Sequence, residues 1–258
     1  MLQQTQVARV VPYFLQWMER WPSFESLSDA TPADVIDAWR GLGYNLRAVN
    51  LRRLAREVVE IHACRLPLSL PDLLKLPGIG PYTANAVLSF ASDLPAPVAD
   101  TNIARVLVRL FAGFAFARDA GPGELGTLAS QFLPEIGSRD HNLALMDLGA
   151  LVCTAREPSC GSCPVSNRCE WLLAGSPQRS IRAEPAERFE DSARFARGRI
   201  VDALRSAELL SDSEIAALLP PRHAERTHQY LAALAHDGLI ERHLDGRWSL
   251  PGRRVRAG

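Results

Sequence analysis

The sequence predicts a mostly α-helical protein with a small winged-helix-like unit at its C-terminal end, and three observations carry that expectation. Apolar residues recur at three- and four-residue intervals through 5–20, 32–40, 47–62, 70–76, 82–92, 102–112, 124–132 and 140–152, with Pro, Gly, Asp and Ser breaks between them. No strand alternation appears before residue 238. After a polar stretch with two prolines, residues 197–219 read as two helices, 223–236 as a third, and Leu239–Leu250 as a hairpin turning at Asp245-Gly246.

These elements divide the chain into a main domain over 1–173, a linker over 174–196 and the winged unit over 197–258. With 258 residues, 47% hydrophobic and 22% charged, the chain can bury one good core plus a small second unit and is expected to be soluble and globular. No apolar run approaches the roughly 20 residues of a membrane span, and the N-terminus has no signal-peptide pattern. The reducing cytoplasm is the expected compartment.

A formal net charge of zero removes long-range attraction to polyanions, so any nucleic-acid contact must be local. Arginine dominates the basic residues, and Lys75 is the single lysine. Between Trp39 and Arg56, Arg40, Arg47, Arg52, Arg53 and Arg56 stand without an acid and form the best candidate for a basic face. The C-terminal unit either holds DNA through Arg222, Arg226, His228 and Arg247 or serves only as a docking module.

Three motifs carry chemistry. Cys153, Cys160, Cys163 and Cys169 form a C-x6-C-x2-C-x5-C run. Four local thiolates can wrap one soft centre, which suits a [4Fe–4S] cluster or, less well, a structural zinc. Leu76-Pro77-Gly78-Ile79-Gly80 has the form of a helix-hairpin-helix turn. Its glycines let backbone approach a ligand closely, and Pro81 suits the start of the next helix, whose N-terminus favours phosphate. Val98-Ala99-Asp100-Thr101-Asn102 precedes an amphipathic helix. Asp100 or Thr101 can serve as its N-cap, and Asp100 can also be a carboxylate kept ionised to stabilise an oxocarbenium-like sugar.

Met1-Leu2-Gln3-Gln4-Thr5-Gln6-Val7, Trp39-Arg40-Gly41-Leu42-Gly43-Tyr44, Leu76-Pro77-Gly78-Ile79-Gly80-Pro81-Tyr82-Thr83-Ala84, Asp100-Thr101-Asn102, Met146-Asp147-Leu148-Gly149-Ala150 and the four cysteines occur in one order. Over residues 1 to about 172 that series resembles adenine DNA glycosylases of the MutY type, within the endonuclease III superfamily. The resemblance implies a two-lobed helix-hairpin-helix glycosylase fold, one lobe carrying the hairpin and the other a structural [4Fe–4S] cluster held by the cysteines. It further implies a bent, mismatch-containing double-stranded DNA with the target base flipped out. By resemblance, Asp100 is the catalytic aspartate, and Gln3, Gln4 and Thr5 lie at the opened base pair. Tyr44, Arg47, Gly78, Ile79, Gly80, Tyr82 and Asn102 are the further DNA and substrate contacts. The enzyme is expected to act as a monomer.

Where bifunctional relatives carry a Schiff-base lysine, two residues after the second hairpin glycine, this chain has Tyr82. A monofunctional glycosylase acting on adenine opposite 8-oxoguanine or guanine is therefore expected. The departures keep two alternatives open: a thymine or uracil mismatch glycosylase, and a catalytically silent DNA-binding relative. MutY-type enzymes carry a general-acid glutamate two residues before the methionine that is Met1 here, so that residue is expected to be absent from the chain as given. Asn45 stands where the family commonly has a second tyrosine, and 197–258 is shorter than the domain that reads oxidised guanine in many relatives.

Overall fold

The structure, a computed structural model, describes residues 1–2, 5–121, 123–177 and 187–253. Its α-helices are α1 (Val7–Arg20), α2 (Phe24–Asp29), α3 (Pro32–Ala38), α4 (Leu46–Ile61), α5 (Leu70–Leu73), α6 (Pro81–Ala86) and α7 (Thr101–Phe111). They continue as α8 (Glu124–Gln131), α9 (Ser138–Asp147), α10 (Glu170–Leu173), α11 (Ala193–Ser206), α12 (Asp212–Ala217), α13 (Pro221–Ala224) and α14 (Thr227–Asp237). Strands β1 (Glu241–Arg242) and β2 (Trp248–Ser249) pair antiparallel around the expected Asp245-Gly246 turn. The α2 helix was not legible as a separate element: it is one short segment, started by a capping box in which Ser23 and Ser26 satisfy each other's backbone N–H groups.

The described residues fall into two compact units, Met1–Leu66 with Glu184–Gly258, and Pro67–Ala183. This division differs from the boundary drawn on the sequence after residue 173. Ala33, Ile36 and Val49 of the N-terminal helices share one buried core with Ile200, Leu204, Ile215, Leu231, Leu234 and Leu250. Among the described residues, the C-terminal helices therefore share their core with the N-terminal helices. Arg205, with its side chain 2% exposed, donates from Nη2 to the Ile36 carbonyl at 2.7 Å, and Arg253 pairs with Asp37 at 2.6 Å. Residues 178–186 of the expected linker lie outside the described residues, and α11 begins at Ala193, within the linker's expected span.

A second core in the same unit gathers Trp17, Trp21 and Trp39, with Trp17 4.6 Å from Trp21 and 5.4 Å from Trp39 between ring centroids. Phe111 stacks on Phe132 at the surface with centroids 3.5 Å apart. In the other unit, Val98, Ile103, Leu107 and Ala129 form the core around α7, joined by Leu145 and Met146 of α9. Both α6 and α9 widen into π-helical turns, Val87–Ala91 and Leu148–Val152. Such turns concentrate at functional sites.

Candidate active site and cluster loop

Asp100 is the N-cap of α7. Its Oδ1 accepts the backbone N–H groups of Asn102 at 2.9 Å and Ile103 at 2.7 Å. Its Oδ2 takes no hydrogen bond from the described residues, so one carboxylate oxygen organises the helix while the other stays available. Tyr82, on the first turn of α6, lies within electrostatic range: burial, and then the charge of Asp100, push its phenol pKa up. Tyr82 therefore stays neutral at physiological pH and can act only as a hydroxyl or an aromatic face. An open cleft in this unit is lined by Tyr82, Asn85, Ala99, Thr127 and Gln131.

Gly78 has φ +77°, the left-handed conformation that the hairpin turn requires, and the Ile79 N–H closes the turn on the Leu76 carbonyl. Gly80 differs. A Cβ built there meets no protein atom within 4 Å, so nothing in the folded chain demands a glycine at that position. Gly149 of the Met146–Ala150 motif shows the opposite case. A Cβ there would stand 2.7 Å from Asn102 Cβ and 2.8 Å from the Asn102 carbonyl oxygen, so only glycine lets this turn press against the residue two beyond Asp100.

Two arginines that the sequence reading passed over tie this region to the cysteine loop. Arg105 donates from Nη2 to Asn102 Oδ1 at 2.9 Å and to the Gly149 carbonyl at 2.6 Å, and from Nε to the Cys153 carbonyl at 2.7 Å. Burial lowers its pKa, though it remains a cation at neutral pH. Arg109, 2% exposed, donates to the carbonyls of Ala115 at 3.1 Å, Thr154 at 2.8 Å and Ala155 at 3.1 Å, and lies 4.6 Å from the centroid of Trp171. The signal for both was present in the sequence. Thr101, Arg105 and Arg109 recur at four-residue intervals along one face of α7, where Arg105 is half-buried and Arg109 buried.

Cys153, Cys160, Cys163 and Cys169 line one cavity together with Arg109, Val152, Pro158, Trp171 and Leu172, and none of them is in a disulfide. Among the described residues no three His, Cys, Asp or Glu side chains converge as a single-ion site. Arg109 Nη1 also reaches Cys153 Sγ at 3.4 Å, and no carboxylate of the described residues pairs with it. A buried cation without a carboxylate needs an anion nearby. Four thiolates around a bound centre would supply it, so the chemistry of these residues fits the four-sulfur site expected from the sequence.

The other sequence candidates fall in the other unit. Thr5 donates its backbone N–H to the Leu2 carbonyl, and Gln3 and Gln4 lie outside the described residues. Tyr44 is exposed with φ +50°, whereas Arg47 is half-buried and sits 5.2 Å from the centroid of Trp39. The basic run turns partly inward: Arg52 donates to the Ala30 carbonyl, Arg53 to the Asp237 carbonyl at 2.9 Å, and Arg56 pairs with Glu60. Of the C-terminal candidates, Arg222 pairs with Asp191 at 2.7 Å and Arg247 with Asp245 at 2.7 Å, which offsets their charge.

This hairpin, helix and cysteine-loop arrangement defines a class. Residues 1–116 match the family model described as HhH-GPD superfamily base excision DNA repair protein. Among solved structures, a thermostable thymine-DNA glycosylase superposes with a TM-score of 0.61 and 28% identity, over 67% of this chain and 80% of that one. A trapped endonuclease III–DNA covalent intermediate gives 0.59 and 25% identity, over 68% and 82%.

Across 98% of its length the chain is 40% identical to the adenine DNA glycosylase of Mycolicibacterium smegmatis, covering 85% of that protein. The human adenine DNA glycosylase is 42% identical over 171 residues, 66% of this chain and 31% of that protein. The chain belongs to the adenine DNA glycosylase family.

Proposed function

We propose that the chain is a monofunctional DNA N-glycosylase of base-excision repair that removes adenine mispaired with 8-oxoguanine or guanine, working as a monomer in the cytoplasm. The observation that carries the reading is similarity to an adenine DNA glycosylase over 98% of the chain, combined with a carboxylate at Asp100 whose Oδ2 takes no hydrogen bond from the described residues. As the N-glycosidic bond breaks, its electrons leave with the base and positive charge grows on the sugar. Asp100 Oδ2 stabilises that charge, and water adds to the sugar carbon, the proton it loses balancing the one gained by the departing base. Amine attack has little support, since Lys75 is the single lysine and its Nζ is paired with Asp72 at 2.8 Å. The four cysteines would hold a [4Fe–4S] cluster whose contribution is a rigid anchor for the loop and α7.

Hairpin contact with the DNA backbone is tested at Gly80, where a methyl group meets only space inside the protein. Gly80→Ala is expected to leave the thermal midpoint nearly unchanged and to weaken duplex binding about tenfold, read by fluorescence anisotropy. Unchanged binding would make the hairpin an ordinary turn.

The activity is tested by single turnover on a duplex with adenine opposite 8-oxoguanine, using the chain as given and a version with glutamate two residues ahead of Met1. Strand scission by the version that carries the glutamate, and only after hot alkali, is the expected result. Release of thymine or uracil from mismatches with guanine would favour the second reading, which the structural likeness to a thymine-DNA glycosylase supports. Tight duplex binding with no base released by either version would leave a silent DNA-binding relative.

A further inference from the structure

We propose that α11 is a positioning device for the DNA-contacting loop Gly41–Tyr44, with Arg194 holding the Tyr44 ring in the orientation that meets the opened base pair. This rests on the reading of Tyr44 as a DNA contact. The loop is an expensive one. Gly41 and Gly43 have φ +85° and +72°, and Tyr44, a bulky residue with 44% of its surface exposed, is held at φ +50°. An exposed aromatic at the tip of such a loop would ordinarily sample several rotamers.

Here the ring is gripped. Arg194 donates from Nη1 to the Tyr44 hydroxyl, and its guanidinium lies 4.9 Å from the Tyr44 ring centroid and 4.8 Å from that of Phe189. Eleven residues on, three helical turns along the same face of α11, Arg205 donates from Nη2 to Asn45 Oδ1 at 2.8 Å. One helix face thus holds two consecutive residues of the loop end. Asn45, the departure noted in the sequence, thus serves here as an acceptor for an arginine of α11.

The two grips differ in kind. The Arg205 side chain is buried and ties α11 to Ile36 and Asn45, which is packing. Arg194 is exposed, and no carboxylate among the described residues pairs with it. An unneutralised cation stacked on an exposed tyrosine adds little to folding. It presents a flat ring and a positive charge side by side, the pair that a base face and its flanking phosphate would meet, and fixing the ring beforehand reduces the ordering cost of binding.

The test measures affinity of the full chain for two duplexes of one sequence, one with adenine opposite 8-oxoguanine and one fully paired. Arg194→Ala is expected to lose about 5–10-fold in mismatch affinity with paired-duplex affinity unchanged within about twofold, so that selectivity falls. Arg194→Lys, which keeps charge and a donor without the planar stack, should fall between, and it also serves if the alanine variant folds poorly. Tyr44→Ala alone should lose about tenfold or more, and adding Arg194→Ala should cost nothing further. Unchanged selectivity in Arg194→Ala, equal losses on both duplexes, or additive losses in the double variant would overturn the proposal. Normal mismatch binding by Tyr44→Ala would overturn it too, and adenine release persisting in that variant would leave the glycosylase reading standing.

Discussion

Asp100→Asn will bind a mismatched duplex as tightly as the parent and release base about 10²–10⁴-fold more slowly in single turnover. The substitution separates the capping of α7 from the proposed charge stabilisation. Asparagine caps a helix as well as aspartate does, so Asn102 and Ile103 keep an acceptor for their N–H groups and stability should change by less than about 1 kcal/mol. What disappears is the negative charge on Oδ2. Asp100→Ala removes both tasks and should add a cap penalty of about 1 kcal/mol. An asparagine variant with the parent's rate would confine Asp100 to capping and move the search for a catalytic group elsewhere.

Arg109→Met is expected to be the most damaging substitution near the cysteine loop. Methionine has similar length but leaves the carbonyls of Ala115, Thr154 and Ala155 without their donors in a buried site. It also removes the cation beside Cys153. Unsatisfied buried acceptors cost about 1–3 kcal/mol each, so a total of about 3–5 kcal/mol is expected, or roughly 10 °C in the thermal midpoint for a chain of this size. Iron and acid-labile sulfide per chain should fall together with the midpoint. Arg109→Lys should rescue little, because one ammonium cannot reach three carbonyls at once. Full iron content with an unchanged midpoint would show that the loop holds its centre without this arginine.

Much of this site is written locally, and that explains what reading the sequence could reach. The cysteine run spans 17 residues, so its spacing alone brings the thiols together. The hairpin turn is a property of its own glycines, and Asp100 caps the helix that starts at the next residue. Three arginines carried no such local signal of their partners, because the same residue type serves opposite ends. Arg109 and Arg205 are buried donors to distant carbonyls, while Arg194 is exposed and stacked. Their partners lie 45, 169 and 150 residues away in sequence, beyond the reach of any periodicity.

The C-terminal helices show the same limit. Their helical period and the hairpin turn were legible, yet the period says only that a face is apolar, not which surface covers it. That face meets Ala33, Ile36 and Val49, so the elements expected to form a unit of their own complete the core of the N-terminal helices. The sequence by itself determined the helical class, the cysteine set, the hairpin and the aspartate, because short-range spacing and backbone preference dictate each. Only the tertiary structure decided which arginine is buried, which carboxylate oxygen is free and which helix holds Tyr44, because those outcomes depend on desolvation and on contacts between segments far apart in the chain.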